Sequence, residues 1–407
     1  MKFSALPVWV MLISLFPYLP AGLRVENIIF PFFVAGYILS LRFNFKLGMI
    51  YLIQIFSLLI PLFGVLLASY VSFNTGVAAD PFVMFVRLSM PLLMLISFSA
   101  IVNKISNPLI SVAFAIMVCA VPVSLVSLLS VFFDIAEFLQ YWIKNDPDGV
   151  WAQSLAIGRF NGIFNQPLES GIFFSVALFS SIYLLKVLPR IRVLSLFCIV
   201  FVILGGLLSF SKNFTVLGLI FGLYLLVALR MVSFQVAAFA FIFLCISVFS
   251  LVAVFNNNYA DSLVDLFEQG GFLLALTAGR LGAEDTGVSL LFSELFHQGY
   301  WFIGRGLGSH MPLDNGYLEY FYQGGVLALV GYLCFIVTLF GYRGNVISNH
   351  HKSLLNTLAF FVIFASLGGP VITASRANLP LIFLIVACVA KSQAYSNFHC
   401  RKLIKGN

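Results

Sequence analysis

The feature that most constrains this chain is the recurrence of long apolar segments separated by short polar connections. Hydrophobic residues make up 61% of its 407 residues, and charged residues make up only 9%. Stretches of roughly 20 apolar residues are unstable in water, whereas their length as helices matches the hydrocarbon core of a bilayer. The sequence therefore predicts a polytopic integral membrane protein in which residues 1–407 form a single transmembrane domain.

Helices are the expected form of these segments, because lipid cannot satisfy unpaired backbone groups and no alternation of roughly ten residues of the barrel type appears. The predicted fold class is all-α, with about 12 transmembrane helices. The second and eighth segments are short, so a hairpin or a re-entrant segment could replace either one. The expected spans lie near residues 6–22, 27–41, 48–70, 82–102, 108–133, 170–187, 192–210, 214–229, 232–255, 323–342, 354–374 and 379–395.

Charge gives an independent test of this topology. With the N-terminus inside, all 15 acidic residues fall on the outer side and 14 of the 22 Lys and Arg residues fall on the inner side. Inner connections of membrane proteins carry an excess of Lys and Arg, so both termini are expected in the cytoplasm. The inner basic residues are spread over short turns rather than gathered on one face, and no nucleic-acid partner is expected.

Histidine and cysteine usage indicates neither a metal site nor a disulfide framework. The outer histidines, His297 and His310, have no partner at metal-ligand spacing. All 6 cysteines fall in predicted spans or in the inner tail, so the outer loops have no thiols to pair. We expect no metal and no other cofactor.

Two outer connections, residues 134–169 and 256–322, are much longer than the others, and loops of this size are usually functional or disordered. Both contain apolar residues at helical spacing, such as Phe138 and Trp142 in the first loop. Short amphipathic helices that lie at the lipid interface or cap the bundle are therefore expected, above all in the second loop. For each Trp or Tyr taken singly, anchoring at the membrane interface is the better interpretation.

Basic residues on the outer side are exceptions to the excess of Lys and Arg on the inner side, and they are the first candidates for an anion-binding site. An arginine offers a planar fork of donors that fits phosphate oxygens, so a lipid-linked phosphate could bind there. A single outer arginine could equally pair with an acid or contact lipid headgroups. We interpret Arg24 and Lys144 as solvated surface, and Arg87 lies inside the fourth span, where it could pair within the bundle. The remaining candidates are Arg159, Lys212, Arg280, Arg305 and Arg376.

A second polar group precedes the tenth span, in residues 310–325. Asp314 or Glu319 could act as a general base, while Asn315 or Tyr317 could orient a sugar hydroxyl. The alternative for residues 314–316 is helix capping, for which Asp is a favoured residue. Capping and catalysis are compatible, so both interpretations stay open.

Three sequence patterns resemble the O-antigen polymerase and ligase superfamily. The first is Arg-x-x-Gly-x-x-Asn-x-Pro from Arg159 to Pro167, and the second is the Ser-x-Ser-Lys turn at residues 209–212, where relatives commonly have Ser-Arg. The third is Gly-x-Gly at residues 304–308, followed by Asp-Asn-x-Tyr-Leu at 314–318 and a glycine. The motifs span roughly residues 150–345, and their order carries the resemblance more than any single motif does.

The resemblance implies a GT-C-like membrane enzyme of the bacterial inner membrane. It implies a metal-independent inverting glycosyltransferase that acts at the periplasmic face on oligosaccharides linked to undecaprenyl pyrophosphate. Under it, the phosphate role goes to Arg159, Lys212, Arg280 and Arg305, with Arg376 as a weaker addition. Membrane lipid would be a further partner, and a chain-length regulator is left open.

The resemblance leaves the catalytic base open, because Asp314 occupies the position where ligases usually have a histidine. This departure favours a polymerase of lipid-linked repeat units over a ligase that transfers glycan to the lipid A core. His310 and Glu319 stay as alternative bases. A lipid-linked oligosaccharide flippase or another transporter is the non-enzymatic alternative, although the spans hold almost no charge apart from Arg87 and no inverted repeat is evident.

Overall fold

The computed structural model describes most of the chain, and every regular element in that part is helical. The predicted all-α class is thus confirmed for the described residues. These are residues 4–19, 24–41, 48–71, 80–102, 104–143, 149–240, 242, 265, 267–269, 295–297, 299–309, 315–341, 349–374 and 376–390.

The helices follow the apolar segments closely. In chain order they are α1 (Leu6–Leu15), α2 (Val25–Leu41), α3 (Met49–Val71), α4 (Pro81–Val102), α5 (Pro108–Phe132), α6 (Ala136–Leu139), α7 (Val150–Ala156), α8 (Pro167–Val187), α9 (Arg192–Leu208), α10 (Leu219–Ala228), α11 (Gly316–Gly341), α12 (Asn349–Ala365) and α13 (Asn378–Val389). A 3-10 turn, Pro189–Ile191, precedes α9, and a π-helical turn, Asn213–Gly218, leads into α10.

Six of these helical segments are long and apolar enough to cross a membrane by length and composition. They are Met49–Val71, Pro81–Val102, Pro108–Phe132, Pro167–Val187, Pro189–Leu208 and Gly316–Phe340. Four apolar helices are shorter: Val25–Tyr37 and Asn213–Ala228, at the two segments expected to be weak, and Leu6–Leu15 and Asn378–Val389, at the first and twelfth expected spans. The apolar helices indicate a multi-pass membrane protein. Most of the expected ninth span, 232–255, lies outside the described residues.

Helix α8 lies at the centre of one half of the bundle. It is apolar along its whole circumference, as expected for a helix surrounded by others, and every residue from Glu169 to Leu184 is buried. It packs against α5, α9, α10, α12 and α13. Its serines donate to carbonyls one turn earlier, for example Ser180 to Val176 at 2.8 Å, so the hydroxyls are satisfied inside the helix.

The other half of the bundle is organised by α11, which packs most extensively against α3. This helix is broken at Gly325, where φ is 62° and ψ is −159°. The amide of Val326 donates to the carbonyl of Trp301 at 3.1 Å instead of to Tyr322, and the Tyr322 carbonyl accepts the amide of Arg305 at 2.9 Å. The segment at residues 300–306 therefore replaces the hydrogen bonds that the break removes.

Glycine is required at this break by both backbone conformation and space. The φ and ψ values of Gly325 belong to a region that only glycine populates readily, and a Cβ there would collide with the carbonyl of Phe302. We expect Gly325→Ala to destabilise the protein by about 3 kcal/mol, measured as unfolding in detergent. Gly36→Ala is the matched control, because nothing lies within 4 Å of the added Cβ. It should be neutral or stabilise α2 by up to about 1 kcal/mol, and equal losses in both variants would contradict the account of the break.

Several helix ends that are distant in sequence meet at one end of the bundle, which we call the site end. It comprises residues 16–19, 24–26, 158–171, 208–213, 315–319, 366–374 and 376–378. The amide of Gly316 donates to the carbonyl of Ser366 at 2.8 Å, and a Cβ on Gly369 would lie 2.6 Å from Leu168. The first residues of α8 and α11 are thus joined through the connection between α12 and α13.

Candidate functional site

The loop that carries Arg159 is shaped by two glycines. Gly158 ends α7 with φ at 77°, and the amide of Arg159 donates to Ser154 at 2.8 Å, as in a Schellman cap. Gly162 has φ at 59°, and a Cβ there would lie 2.6 Å from the Ser127 hydroxyl of α5. The glycine of the Arg-x-x-Gly pattern is therefore needed for close packing, and the arginine beside it remains partly exposed.

The turn that carries Lys212 lies against this loop. The amide of Phe160 donates to the carbonyl of Leu208 at 2.9 Å, which joins the Arg159 loop to the end of α9. Ser211 is buried against Gly171 of α8, where an added Cβ would collide with its hydroxyl. Lys212 itself remains partly exposed. The structure thus brings the segments of Arg159 and Lys212 together around the first turn of α8.

Arg376 lies at the same end but is only 1% exposed. Its guanidinium donates to the carbonyl of Ile163 and, at 3.3 Å, to the carbonyl of Phe16, and it lies 4.6 Å from the ring centre of Tyr18. Its backbone has φ at 56°, a conformation that a residue other than glycine adopts at some cost. Arg376 therefore positions three separate segments, and its guanidinium does not face the surface.

Arg24 is buried, which corrects the expectation that it is solvated surface. It is 9% exposed, its guanidinium lies 3.5 Å from Glu26 and 3.6 Å from Glu169 of α8, and it donates to the Tyr18 hydroxyl at 2.8 Å. Its nearness to Glu26 in sequence suggested an exposed pair. The expectation was wrong because Glu169, distant in sequence, draws the pair inward. Lys144 lies outside the described residues.

The charges in this buried group balance, since Arg24 and Arg376 face Glu26 and Glu169. Burial works to lower the pKa of Arg24, but the Glu169 carboxylate, the Tyr18 hydroxyl and the Glu26 carboxylate raise it above its ordinary value. Burial lowers the pKa of Arg376, and the neighbouring Arg24 lowers it further. Arginine remains protonated even with such a shift, so both groups keep their charge and hold the segments together electrostatically.

Removing the Arg376 side chain should loosen the site end. We expect Arg376→Ala to reduce the free energy of unfolding by about 3 kcal/mol, because two buried carbonyls lose their donor. Arg376→Lys should recover only part of the loss, since an ammonium cannot reproduce the planar fork. Thermal unfolding in detergent measures both changes. Arg190→Ala, at an exposed position on the opposite end, is the control and should change stability by less than about 0.5 kcal/mol. Loss of the same size at both positions would rule out this role for Arg376.

The start of α11 shows how residues 315–317 are used. Asn315 caps the helix, because its Oδ1 accepts the amides of Tyr317 at 3.0 Å and Leu318 at 3.1 Å. Its Nδ2 donates to Leu367 at 3.2 Å. The Tyr317 hydroxyl donates to the carbonyl of Ile363 at 2.9 Å, so it joins α11 to α12. Helix capping thus occurs in this segment through Asn315, whereas the sequence argument favoured Asp314, which lies outside the described residues.

Glu319 is buried and paired with Arg87 of α4, with 3.1 Å between the guanidinium and the carboxylate. Their side chains are 1% and 16% exposed. The expectation that Arg87 pairs inside the bundle is confirmed. Because its carboxylate is buried and paired with a guanidinium, Glu319 is a poorer candidate for a general base than an accessible, unpaired acid would be.

Arg305 lies on the segment that replaces the broken hydrogen bonds of α11. Its guanidinium lies 4.9 Å from the ring centre of Tyr300 and donates to the Tyr322 hydroxyl at 3.4 Å. The neighbouring Gly306 packs so closely on α3 that a Cβ would lie 2.6 Å from Ser69 Cα. The Gly-x-Gly pattern is thus a packed segment rather than a flexible turn, and Arg305 is partly exposed on it.

Three of the predicted site residues, Arg280, His310 and Asp314, lie outside the described residues. The structure also draws attention to Asn161, which sequence reasoning did not single out. It is 2% exposed, and neither its amide nitrogen nor its oxygen has a hydrogen-bond partner within the described part of the chain. Its place inside the pattern from Arg159 to Pro167 is the signal that could have identified it.

Comparison with other proteins gives no relative, since no protein-family model, curated protein or solved structure matches this chain. Function must therefore be argued from the residues themselves. They define a multi-pass helical membrane protein with basic and amide side chains gathered at one end of its bundle.

Proposed function

We propose that the protein is a polymerase of lipid-linked oligosaccharide repeat units. In this reaction a growing glycan leaves undecaprenyl pyrophosphate and is joined to a hydroxyl of the next lipid-linked repeat at the periplasmic face. The observation that carries the proposal is the meeting of the Arg159 loop and the Lys212 turn at the first turn of α8. The two motif segments are about 50 residues apart in sequence and share one end of the bundle, joined by the bond from Phe160 to Leu208.

The chemistry needs two kinds of group. The acceptor hydroxyl forms a bond to the anomeric carbon while the bond from that carbon to the pyrophosphate oxygen breaks. Arg159 and Lys212, with Arg280 and Arg305, would stabilise the negative charge that develops on the departing pyrophosphate. The hydroxyl proton passes to a base, for which Asp314 is the first candidate and His310 the second. Attack from the face opposite the leaving group inverts the anomeric centre, and no metal is needed.

The contacts in the structure change the roles that we propose for the other predicted site residues. Arg376 is committed to carbonyls of Ile163 and Phe16, so we assign it to positioning rather than to phosphate binding. Glu319 is paired with Arg87, which makes it the weakest of the three candidate bases. Asn315 and Tyr317 would act by fixing the start of α11 beside Asp314. The buried amide of Asn161 has no hydrogen-bond partner among the described residues, so it is a further candidate to bind a polar group of the substrate.

The topology belongs to the same proposal. Twelve spans, a bacterial inner-membrane location and both termini in the cytoplasm would place the site end at the periplasmic face. The positions of the helices support this arrangement, because Lys186, Arg190 and Arg230 lie at the opposite end of α8, α9 and α10, where the inner side is expected. A chain-length regulator would be a separate partner at the periplasmic face.

Two alternatives differ in what they require. A ligase would transfer the glycan to the lipid A core, and it usually has a histidine where this chain has Asp314. A flippase would need charged groups that line a central passage for the pyrophosphate. The Arg87 charge inside the bundle is paired with Glu319, which leaves it committed to packing rather than to transport. The polymerase is thus the better supported of the three.

The decisive experiment supplies purified protein in vesicles with a defined undecaprenyl-pyrophosphate-linked repeat unit. A polymerase should yield products longer than one repeat and release undecaprenyl pyrophosphate, with no added metal and in the presence of a chelator. Products attached to the lipid A core, when it is added, would favour the ligase. Movement of the lipid-linked repeat across the bilayer without bond formation would favour the flippase and overturn the proposal.

A further inference from the structure

A basic cavity of about 460 Å³ lies at the end of the bundle opposite the site end. It is lined by Lys186 at the end of α8, by Arg230 directly after α10, and by His350, Lys352 and Asn356 in the first two turns of α12. The ends of three helices thus bring basic residues to the lining of one cavity. The amides at the start of α12 add to the positive potential there.

Within the described part of the chain, no acid pairs with the cations of this cavity. Its lining residues come from two stretches of the chain, 170–260 and 320–407, and neither stretch contains a single Asp or Glu. In the described part of the chain, the ion pairs are confined to Arg24 and Arg87 with their acids, so none involves Lys186, Arg230 or Lys352. Cations that share a concave space repel one another unless an anion from outside the protein joins them.

The backbone at Arg230 gives an independent reason to expect a role for its side chain. The amide of Arg230 donates to Val227 at 2.9 Å and that of Met231 to Leu226 at 3.0 Å, which is the Schellman arrangement at the end of α10. Arg230 occupies the position that glycine favours, with φ at 53°. An arginine here carries backbone strain that a glycine would avoid, so packing alone does not explain the residue.

Next to the cavity, the seam between α10 and α12 is aromatic and faces outward. Tyr224 lies one turn before the residues that line the cavity and Phe360 lies one turn after Asn356, with 6.0 Å between their ring centres. Phe364 continues the seam, 5.8 Å from Phe221. Tyr224 is 39% exposed and Phe364 is 46% exposed. An anionic head in the cavity would therefore have an apolar track directly beside it.

We propose that this cavity binds the phosphate headgroup of an anionic membrane lipid, with an acyl chain along the seam of Tyr224, Phe360 and Phe364. Basic pockets between transmembrane helices on the cytoplasmic side suit such headgroups, and the aromatic seam distinguishes a lipid from a phosphate in solution. The proposal is independent of the glycan chemistry at the site end. It requires that the helices cross a membrane, and it takes from the proposed topology that this end faces the cytoplasm.

The test is a lipid titration of the purified full-length protein in detergent, followed by native mass spectrometry. Phosphatidylglycerol should bind more tightly than phosphatidylcholine, whose headgroup carries no net charge. Removing two cations in Lys186→Gln/Arg230→Gly should weaken phosphatidylglycerol binding by roughly 25-fold, at about fivefold per cation, and should leave phosphatidylcholine binding unaffected. Because glycine relieves the strain at residue 230, the fold should survive, and thermal unfolding without added lipid checks this point.

Arg190→Gln/Arg192→Gln is the matched control, since it removes the same charge from exposed positions at the same end but outside the cavity. It should change phosphatidylglycerol affinity by less than about twofold if local geometry matters. Equal losses in the two double variants would overturn the proposal, as would wild-type affinity in the cavity variant.

Competition with inorganic phosphate is the second part of the experiment. Displacement of phosphatidylglycerol by millimolar phosphate would assign the cavity to a soluble anion and contradict the lipid.

Discussion

Arg159→Ala is expected to stop growth of the polysaccharide while leaving the protein folded and inserted. The side chain is partly exposed at the site end, and the local structure depends on its backbone amide, which donates to Ser154 at 2.8 Å. Removing one group that stabilises a developing negative charge costs about 10²- to 10³-fold in rate. The measurement is the chain-length distribution formed from a defined lipid-linked repeat, together with the initial rate.

Two further variants sharpen this prediction. Arg159→Lys keeps the charge and loses the planar fork, so it should restore only part of the rate. Lys144→Ala removes another basic residue from the same long outer connection and should leave the rate unchanged. Normal chain growth in Arg159→Ala would remove Arg159 from the site. An equal loss in Lys144→Ala would show that general positive charge, rather than the motif, sets the rate.

The second large effect is expected at the buried pair between α4 and α11. Replacing either Arg87 by Met or Glu319 by Leu should lower the free energy of unfolding by about 3–5 kcal/mol, because the remaining charge is buried without a partner. Glu319 is only 1% exposed at its side chain, so water cannot take the place of the guanidinium. Thermal or denaturant unfolding in detergent measures the losses.

The double variant Arg87→Met/Glu319→Leu separates packing from catalysis. Apolar residues of similar volume can replace a buried ion pair with little loss, so stability should return close to that of the wild type. We expect polymer growth to return with stability. The pair links α4 to α11, and the proposed base is Asp314 rather than Glu319, so the reaction itself does not need the Glu319 carboxylate. A double variant that is stable but inactive would show that Glu319 takes part in the reaction.

Helix positions could be predicted from the sequence because each depends on local composition. The long apolar segments correspond to α3, α4, α5, α8, α9 and α11, whereas the two weakest segments and the expected first and twelfth spans are shorter helices. The break at Gly325 could not be predicted, since it depends on hydrogen bonds to the Trp301 carbonyl and from the Arg305 amide. Both residues are distant from the break in sequence and belong to no periodic pattern.

The candidate site was partly predictable in the same sense. Outer basic residues were identified from charge alone, and the structure joins the segments of Arg159 and Lys212 at one end of the bundle. Which arginines are buried was not predictable. Arg24 and Arg376 share a balanced group with Glu169 and Tyr18 only because four separate segments meet there.

Sequence by itself determined that this chain forms apolar helices suited to a bilayer and that its acids are absent from two long stretches, because hydropathy and charge add up residue by residue along the chain. Tertiary structure alone decided which charges neutralise each other and which remain exposed. A guanidinium is stabilised by whatever lies within a few ångströms of it in space. For Arg376 those neighbours are Phe16, Tyr18 and Ile163, and only the folded bundle brings them together.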